Sequence, residues 1–229
     1  SAKTNRRTYT LPMAGQWALA FALADSLEAI VGATLARRLV PEPAVARVMQ
    51  VVKFGAAAAL GAGVSATIGA FGAVRALGQV DYWQQWQVWW TGNVLGILTI
   101  LPAALCWAVR YQAPEKSVAI RSRLELAAVA LLLWTLTALV FVAPAREVTV
   151  LLQLPVALLV VLMYAAFRLP PRWSTLLAAT CVIAAALLAS RGLGPFSADA
   201  TRVAGIGELQ FFLATLVGVS FMLSVALLE

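Results

Sequence analysis

Two acidic residues, Asp25 and Glu28, stand three positions apart in the apolar segment FALADSLEAIVGA. Residues three apart are neighbours on a helix surface, so both carboxyl groups would lie on one face, with Ser26 beside them. An ionisable group inside a membrane helix is costly, and it usually faces a partner or a cavity. We therefore take Asp25, Ser26 and Glu28 as candidate ligand-binding residues.

Two interpretations of this acidic pair stay open. The carboxyl groups could be structural and hold another helix through hydrogen bonds or an ion pair, or they could bind a ligand or carry protons or cations. No basic residue is expected at mid-depth in the other helices. The groups are therefore either protonated or paired with a charge outside this segment. We expect Glu28 to be the functional acid, because it lies deeper from the outer end of its helix than Asp25.

A second group of polar and aromatic residues lies in the segment WQQWQVWWTGNVLGILTILP. Tryptophan favours the headgroup level of a membrane, because its ring is apolar and its N–H needs a polar partner. These tryptophans therefore indicate a helix that begins at one membrane surface. Asn93 follows just inside this belt, where it could bridge two helices or face a ligand. We add Trp86, Trp89, Trp90 and Asn93 to the candidates.

The third candidate group is the turn Gly194, Pro195 and Phe196 in the segment SRGLGPFSADATRVAGIGE. Glycine and proline at this spacing predict a turn. It could be a plain connection, or it could be a lid that closes a pocket over the tryptophans on the outer side.

Catalytic chemistry finds little support in the sequence. Histidine is absent, and no compact Ser/Lys or Cys/His arrangement is present. The commonest metal ligand and general base is therefore missing. Cys106 and Cys181 lie inside apolar runs and are interpreted as reduced packing residues. We expect a protein that is not an enzyme and has no catalytic residue, metal site or cofactor.

The composition identifies the elements that carry these residues. Hydrophobic residues make up 62% of the 229 positions and charged residues 12%, with a mean hydropathy of +0.87. Such a chain is an integral membrane protein, and its apolar runs have the length of helical spans. We predict an all-α transmembrane bundle of about seven spans, A to G, at Leu11–Ala36, Val48–Leu77, Trp86–Val109, Leu124–Val142, Val148–Phe167, Trp173–Ala189 and Glu208–Leu228.

Span B has small residues at four-residue spacing. One row contains Ala59, Gly63 and Thr67, and another contains Ser65, Gly69 and Ala73. Such rows let neighbouring backbones approach closely. We expect B to be the most buried helix of the bundle.

Basic residues between the spans predict the orientation. Ten lie in the A–B, C–D and E–F connections, against four on the other side. The side richer in Lys and Arg is normally cytoplasmic. The C-terminus is therefore predicted to be cytoplasmic, with the tryptophans outside. The net charge of +7 thus reflects topology, and no nucleic-acid partner is expected.

Four segments in the same order resemble a known family: DSLEAIVGATLARRL, SATIGAFGAV, WQVWWTGNVLGILTILPAAL and RGLGPF. They are similar to the type-one membrane-associated sensor domain (MASE type) of bacteria. The WW-x-G-[DN]-x-x-G-x-x-x-x-x-P block and the G-x-GPF turn are the most specific parts. In that family, Asn is frequent where this chain has Asp25, and Asp where it has Asn93. This exchange of Asp and Asn keeps both positions polar, but it places the negative charge at position 25 instead of position 93.

The resemblance implies a role in signal transduction. Such a domain precedes a cytoplasmic output module, such as a histidine kinase of a two-component system or an enzyme of cyclic di-GMP signalling. We expect residues 1–229 to form one membrane-embedded sensory domain of the bacterial inner membrane, with upstream helices and the output module outside this segment. It would detect a ligand or a membrane-derived signal and relay it through its last helix.

Two alternatives stay open: an accessory subunit of a larger membrane complex, and a small proton- or cation-coupled transporter. The expected partners are membrane lipid and a cytoplasmic output module or partner protein, and a homodimer is an open alternative.

Overall fold

The computed structural model describes residues 11–41, 47–77, 81–108, 120–142, 154–196 and 203–227. These residues form seven α-helices and no strand. The helices are α1 (Leu11–Leu39), α2 (Val48–Leu77), α3 (Tyr82–Ala108), α4 (Ile120–Val142), α5 (Leu154–Arg168), α6 (Pro171–Ser190) and α7 (Val203–Ala226). The prediction of an all-α bundle is confirmed.

Six helices, all except α5, are long and apolar enough to cross a membrane. The apolar stretch described in α5 is shorter, at Val156–Arg168. The seven predicted spans therefore correspond to six candidate spans and one shorter helix. The predicted start of the fifth span, Val148, lies outside the described residues, as does most of the basic connection between α3 and α4.

The bundle has two parts that meet mainly at α3, with a smaller contact between α2 and α7. Helix α1 packs extensively against α2, and α2 packs against α3. Helix α3 then packs against α6 and α7, and α4 to α7 pack among themselves. One apolar core joins α4 to α7, with Leu133, Leu162 and Leu216 almost fully buried in it. Since α3 contributes Leu95 to that core, it belongs to both parts.

The small residues of α2 bring neighbouring backbones into contact. A Cβ atom added at Gly61 would lie 3.1 Å from the Cα atom of Gly32 and 3.2 Å from the carbonyl oxygen of Glu28. Helices α1 and α2 therefore touch backbone to backbone at this level, as small-residue rows allow. Among the candidate spans α2 has the largest buried share, which confirms the expectation for span B.

Helix α6 ends in a turn built around two glycines. Gly192 has a φ of +76°, its N–H bonds to the carbonyl of Ala189, and the N–H of Leu193 bonds to that of Leu188. This is a Schellman cap, in which a left-handed residue closes the helix. Gly194 has a φ of +97°, and a Cβ atom there would lie 2.4 Å from the Phe141 ring. The turn is thus fixed against the end of α4.

Candidate functional site

A chain of hydrogen bonds joins α1, α2 and α3 within the bundle. The side-chain amide of Asn93 donates from Nδ2 to Oε2 of Glu28 at 2.6 Å and to Oγ of Ser65 at 3.1 Å. The Ser65 hydroxyl in turn donates to Oδ1 of Asp25 at 3.2 Å. We call these four residues the polar cluster. Both acidic residues of α1 are thereby connected to the helices beside it.

Each helix contributes to the polar cluster for a reason that lies in its sequence. The three-residue spacing of Asp25 and Glu28 places both carboxylates toward α2 and α3. Ser65 is fully buried in α2, at a position where only a small side chain fits between α1 and α3. The amide of Asn93 carries two N–H donors, so it can reach Glu28 and Ser65 together.

A cavity of about 540 Å³ lies against the polar cluster, between α1, α2 and α3. Asp25, Glu28 and Asn93 line it, and the rest of its lining is almost entirely small or apolar. Its volume is in the range of small-molecule sites, which are mostly apolar with a few convergent polar groups. We call it the site cavity.

The site cavity is polar at one end only. Beyond Asp25 and Glu28, its α1 wall continues through Gly32 to Ala36. The α3 wall runs the same way to Leu101, and Phe54 of α2 closes the far end. From Asp25 to Ala36 the lining extends about 16 Å along α1, at 1.5 Å per residue. The space is therefore an elongated apolar groove with carboxylates at its head.

The tryptophans attach α3 to α2. The indole N–H of Trp90 donates to the backbone carbonyl of Ala59 at 2.8 Å, and that of Trp86 donates to Oγ1 of Thr67 at 3.1 Å. The two rings stack, with centroids 5.6 Å apart. These bonds satisfy the indole donors inside the bundle, and they fix the rotation of α3 that presents Asn93 to Glu28.

Trp89 covers a glycine of α2 and reaches α1. A Cβ atom at Gly69 would lie 2.3 Å from the Trp89 ring, so only glycine leaves room for this indole. The same ring meets Phe21 of α1, with centroids 5.1 Å apart. Trp89 therefore closes the three-helix packing beyond the polar cluster.

The opposite side of α3 contacts the last helix. The hydroxyl of Thr91 can donate to the side-chain oxygen of Gln210 in α7 or to the carbonyl of Gln87, 2.7 Å away in its own helix. A Cβ atom at Gly92 would lie 2.9 Å from Nε2 of the same glutamine. Thr91 and Gly92 directly precede Asn93, so one turn of α3 touches both the polar cluster and α7.

Comparison with known protein families identifies the family of this chain. The family model MASE1, a membrane-associated sensor domain found in signalling proteins, matches residues 14–229. The chain belongs to this family. MASE1 is a sensory and non-catalytic domain, and with six candidate spans this member is a multi-pass membrane protein. Neither curated proteins nor solved structures yield a match.

Of the candidates predicted from sequence, this MASE1 domain brings Asp25, Glu28 and Asn93 together around the site cavity. The side chain of Ser26 donates to the carbonyl of Ala22 in its own helix and is exposed. It takes no part in the polar cluster. Trp86, Trp89 and Trp90 hold α3 in place and do not line the site cavity.

The turn of Gly194, Pro195 and Phe196 packs elsewhere in the MASE1 bundle. Gly194 lies against Phe141, and the Phe196 ring is 5.5 Å from that of Phe212 in α7. The turn does not line the site cavity. It contacts α4 and α7, so its predicted role as a lid stays a prediction.

Charge in the site is unbalanced. Within the described part of the chain, the one ion pair joins Arg168 and Glu125 at 2.8 Å, far from the polar cluster in sequence. The nearest basic residue along α1 is Arg37, nine positions from Glu28 and about 14 Å away along the helix. No described Lys or Arg therefore neutralises the two acidic residues of the MASE1 site.

Two contributors to the MASE1 site did not stand out in the sequence. Ser65 belongs to a row of small residues, which indicates packing rather than hydrogen bonding. Gln210 and Glu208 are the polar residues of the otherwise apolar sequence VAGIGELQFFLA in the first half of α7. The available signal was the same for both, a side chain with hydrogen-bonding capacity inside an apolar span.

Proposed function

We propose that this MASE1 domain detects a ligand in the site cavity and relays its presence through α7 to a cytoplasmic output module. The observation that carries the proposal is that one turn of α3 contacts Glu28 through Asn93 and Gln210 of α7 through Thr91. A ligand that engages the carboxylates would compete for the amide of Asn93. Any rotation of α3 that follows would move Thr91 against α7.

Such a relay needs two arrangements of α3 that differ in their affinity for the ligand, because a ligand shifts an equilibrium only through differential binding. Residues 91 to 93 occupy one helical turn, so α3 cannot rotate at Asn93 without moving Thr91. The close approach of Gln210 to Gly92 leaves little slack at this contact. We infer that α3 is the moving element and α7 its follower.

The relay proposal is tested with a cytoplasmic output enzyme fused after residue 229. Thr91→Val keeps the shape of the side chain and removes the hydroxyl that bonds to Gln210. We expect it to change the basal activity of the fused enzyme. The matched control is Thr215→Val, since Thr215 is exposed on α7 and bonds to Phe211 of its own helix. Equal basal activity of Thr91→Val and wild type would reject the relay.

The orientation is part of the same proposal. A cytoplasmic output module requires a cytoplasmic C-terminus, in the bacterial inner membrane, which the ten-to-four asymmetry of basic residues also favours. A green fluorescent protein fused after residue 229 should fluoresce, and an alkaline phosphatase at the same point should be inactive. An active phosphatase would reject the orientation and, with it, the route through α7.

A further inference from the structure

We propose that the site cavity binds a primary ammonium group carried on an apolar chain. The inference rests on the proposed function in taking the cavity as the ligand site, and it names the chemistry of the ligand. Three observations carry it: the hydrogen-bonding capacity left over in the polar cluster, the unneutralised charge, and the shape of the groove.

The donors of the polar cluster are already used. The two N–H groups of Asn93 go to Glu28 and Ser65, and the one hydroxyl hydrogen of Ser65 goes to Asp25. What remains is the second oxygen of each carboxylate and the side-chain carbonyl of Asn93, and no described residue donates to them. All three are acceptors. A ligand that completes this site must therefore bring several hydrogen-bond donors, and an ammonium group carries three.

The charge of the two acidic residues indicates the same class of ligand. Two acidic residues line a space that is otherwise almost entirely apolar, and no described Lys or Arg pairs with them. An anionic ligand would be repelled, and a neutral one would leave the carboxylates without a counter-charge where water is scarce. A cation that donates hydrogen bonds satisfies both needs, and charge-assisted bonds of this kind are the stronger ones.

The shape of the site cavity fits a chain behind the ammonium group. Past the carboxylates the walls consist of Gly32, Ala33 and Ala36 on one side and Gly96 on the other. These small side chains leave room for an apolar chain along about 12 Å from Glu28 to Ala36. An extended octyl chain has a similar length.

The groove is also accessible from the side. Helices α1 and α3 both pack on α2, and past the polar cluster Ala29, Ala33 and Gly96 are exposed. Since this surface faces lipid in a membrane, an amphiphile can enter from the bilayer. The ammonium would thus belong to a long-chain amine that partitions into the bilayer.

The test measures binding of radiolabelled octylammonium to the chain in phosphatidylcholine nanodiscs, with protein-free nanodiscs subtracted. We expect saturable binding of about one molecule per chain. Octyltrimethylammonium, which keeps the charge and lacks donors, should bind more weakly. Octanol and octanoate, with the same chain and no positive charge, should not compete. Absence of saturable octylammonium binding, or equal competition by octanol, would overturn the proposal.

Variants assign the binding to the polar cluster. Glu28→Gln and Asp25→Asn keep the shape of each side chain and remove its charge. Each should weaken octylammonium binding roughly tenfold to a hundredfold, the effect of losing a charge-assisted hydrogen bond. Glu208→Gln, which alters an exposed acid of α7 outside the cavity, should leave it unchanged. Equal affinity of all three variants would place the ammonium elsewhere and overturn the assignment.

A lipid comparison tests the requirement for an apolar chain. The ammonium of phosphatidylethanolamine is joined through two carbons to an anionic phosphate, so nanodiscs that contain this lipid should bind octylammonium as phosphatidylcholine nanodiscs do. Suppression of binding in proportion to phosphatidylethanolamine would overturn the apolar chain. All of these measurements use the chain without an output module, so their failure leaves the relay through α7 standing, and a failed relay leaves the ligand class standing.

Discussion

The two parts of the bundle are packed in different ways. Helices α4 to α7 enclose large apolar side chains such as Leu133, Leu162 and Leu216, all almost fully buried in one core. Helices α1 to α3 meet through glycine and alanine, indole rings and hydrogen bonds between polar side chains. The core of α4 to α7 is therefore filled by its own side chains, whereas α1 to α3 enclose the site cavity.

The difference follows from what holds helices together in lipid. Association there is driven by van der Waals packing and interhelical hydrogen bonds, because lipid tails are as apolar as leucine. Hydrogen bonds join helices in both parts, such as the one between Ser174 of α6 and Ser224 of α7. Helices α4 to α7 add a core of large apolar side chains, whereas α1 to α3 add close backbone contact at small residues. We infer that α1 to α3 respond to the ligand and that α7 follows α3.

The largest effect should come from the leucine core. Leu133→Ala removes a side chain that is 0% exposed at the centre of α4 and leaves a cavity behind. We expect it to lower the free energy of unfolding by about 2–5 kcal/mol, as buried leucine truncations do. Thermal unfolding in detergent, followed by tryptophan fluorescence, measures the change.

Leu131→Ala is the matched control, two residues away on the same helix. This leucine is 70% exposed and faces the lipid side, so its loss should shift the melting temperature little. Equal shifts for the two variants would mean that α4 does not bury the face assigned to the core.

The second effect tests the packing of α2 on α3. Gly69→Ala places a methyl group where the Trp89 ring lies, at 2.3 Å in the present arrangement. The ring must move, and overpacking of this kind costs about 1–3 kcal/mol. Gly63→Ala on the same helix meets no atom within 4 Å and should be neutral. A Gly69→Ala protein that melts with wild type would show that Trp89 does not close on α2.

Much of the fold follows from the sequence, because the length and apolar character of the spans leave helices as the choice for lipid. The start of α2 at Val48 and its burial were both anticipated from its small residues and apolar run. The predicted start of the fifth span at Val148 lies outside the described residues, so the length of that span stays a prediction. Which helices pack against each other also cannot be read from one sequence, because several of these helices are apolar on every face.

The acidic residues of the site could be predicted from the sequence, whereas the residues that bond to them were harder to predict. Asp25, Glu28 and Asn93 stood out because polar side chains inside apolar spans are costly and need a reason. The inward direction of Ser65 and the exposed direction of Ser26 depend on helix rotation, which the sequence does not specify. The tryptophans illustrate the same limit: a preference for the membrane surface predicts their depth, while their bonds to Ala59 and Thr67 depend on how α3 faces α2.

A third and smaller effect should come from Ser65, which bonds to both Asn93 and Asp25 in the polar cluster. Ser65→Ala leaves one N–H of Asn93 and one oxygen of Asp25 without their partner. We expect a loss of about 0.5–1.5 kcal/mol in the free energy of unfolding, the net contribution of such bonds. Ser26→Ala removes a hydroxyl that bonds only within its own helix and should cost less. The reverse order of the two melting temperatures would contradict the bridging role of Ser65.

Glu28→Gln should have the smallest effect on stability. It also tests most directly whether α1 to α3 serve signalling or packing. Glutamine keeps a side-chain oxygen that can accept the hydrogen bond from Asn93, so the melting temperature should stay close to that of wild type, within about 0.5 kcal/mol in free energy. The lost charge should instead change the basal activity of an output enzyme fused after residue 229. If the carboxylate were structural and paired with a buried charge, its removal would cost about 3–5 kcal/mol and the protein would fold poorly. A well-folded Glu28→Gln protein with unchanged output would contradict both roles, and the acidic pair would then be a tolerated polar patch in a part of the bundle that serves packing alone.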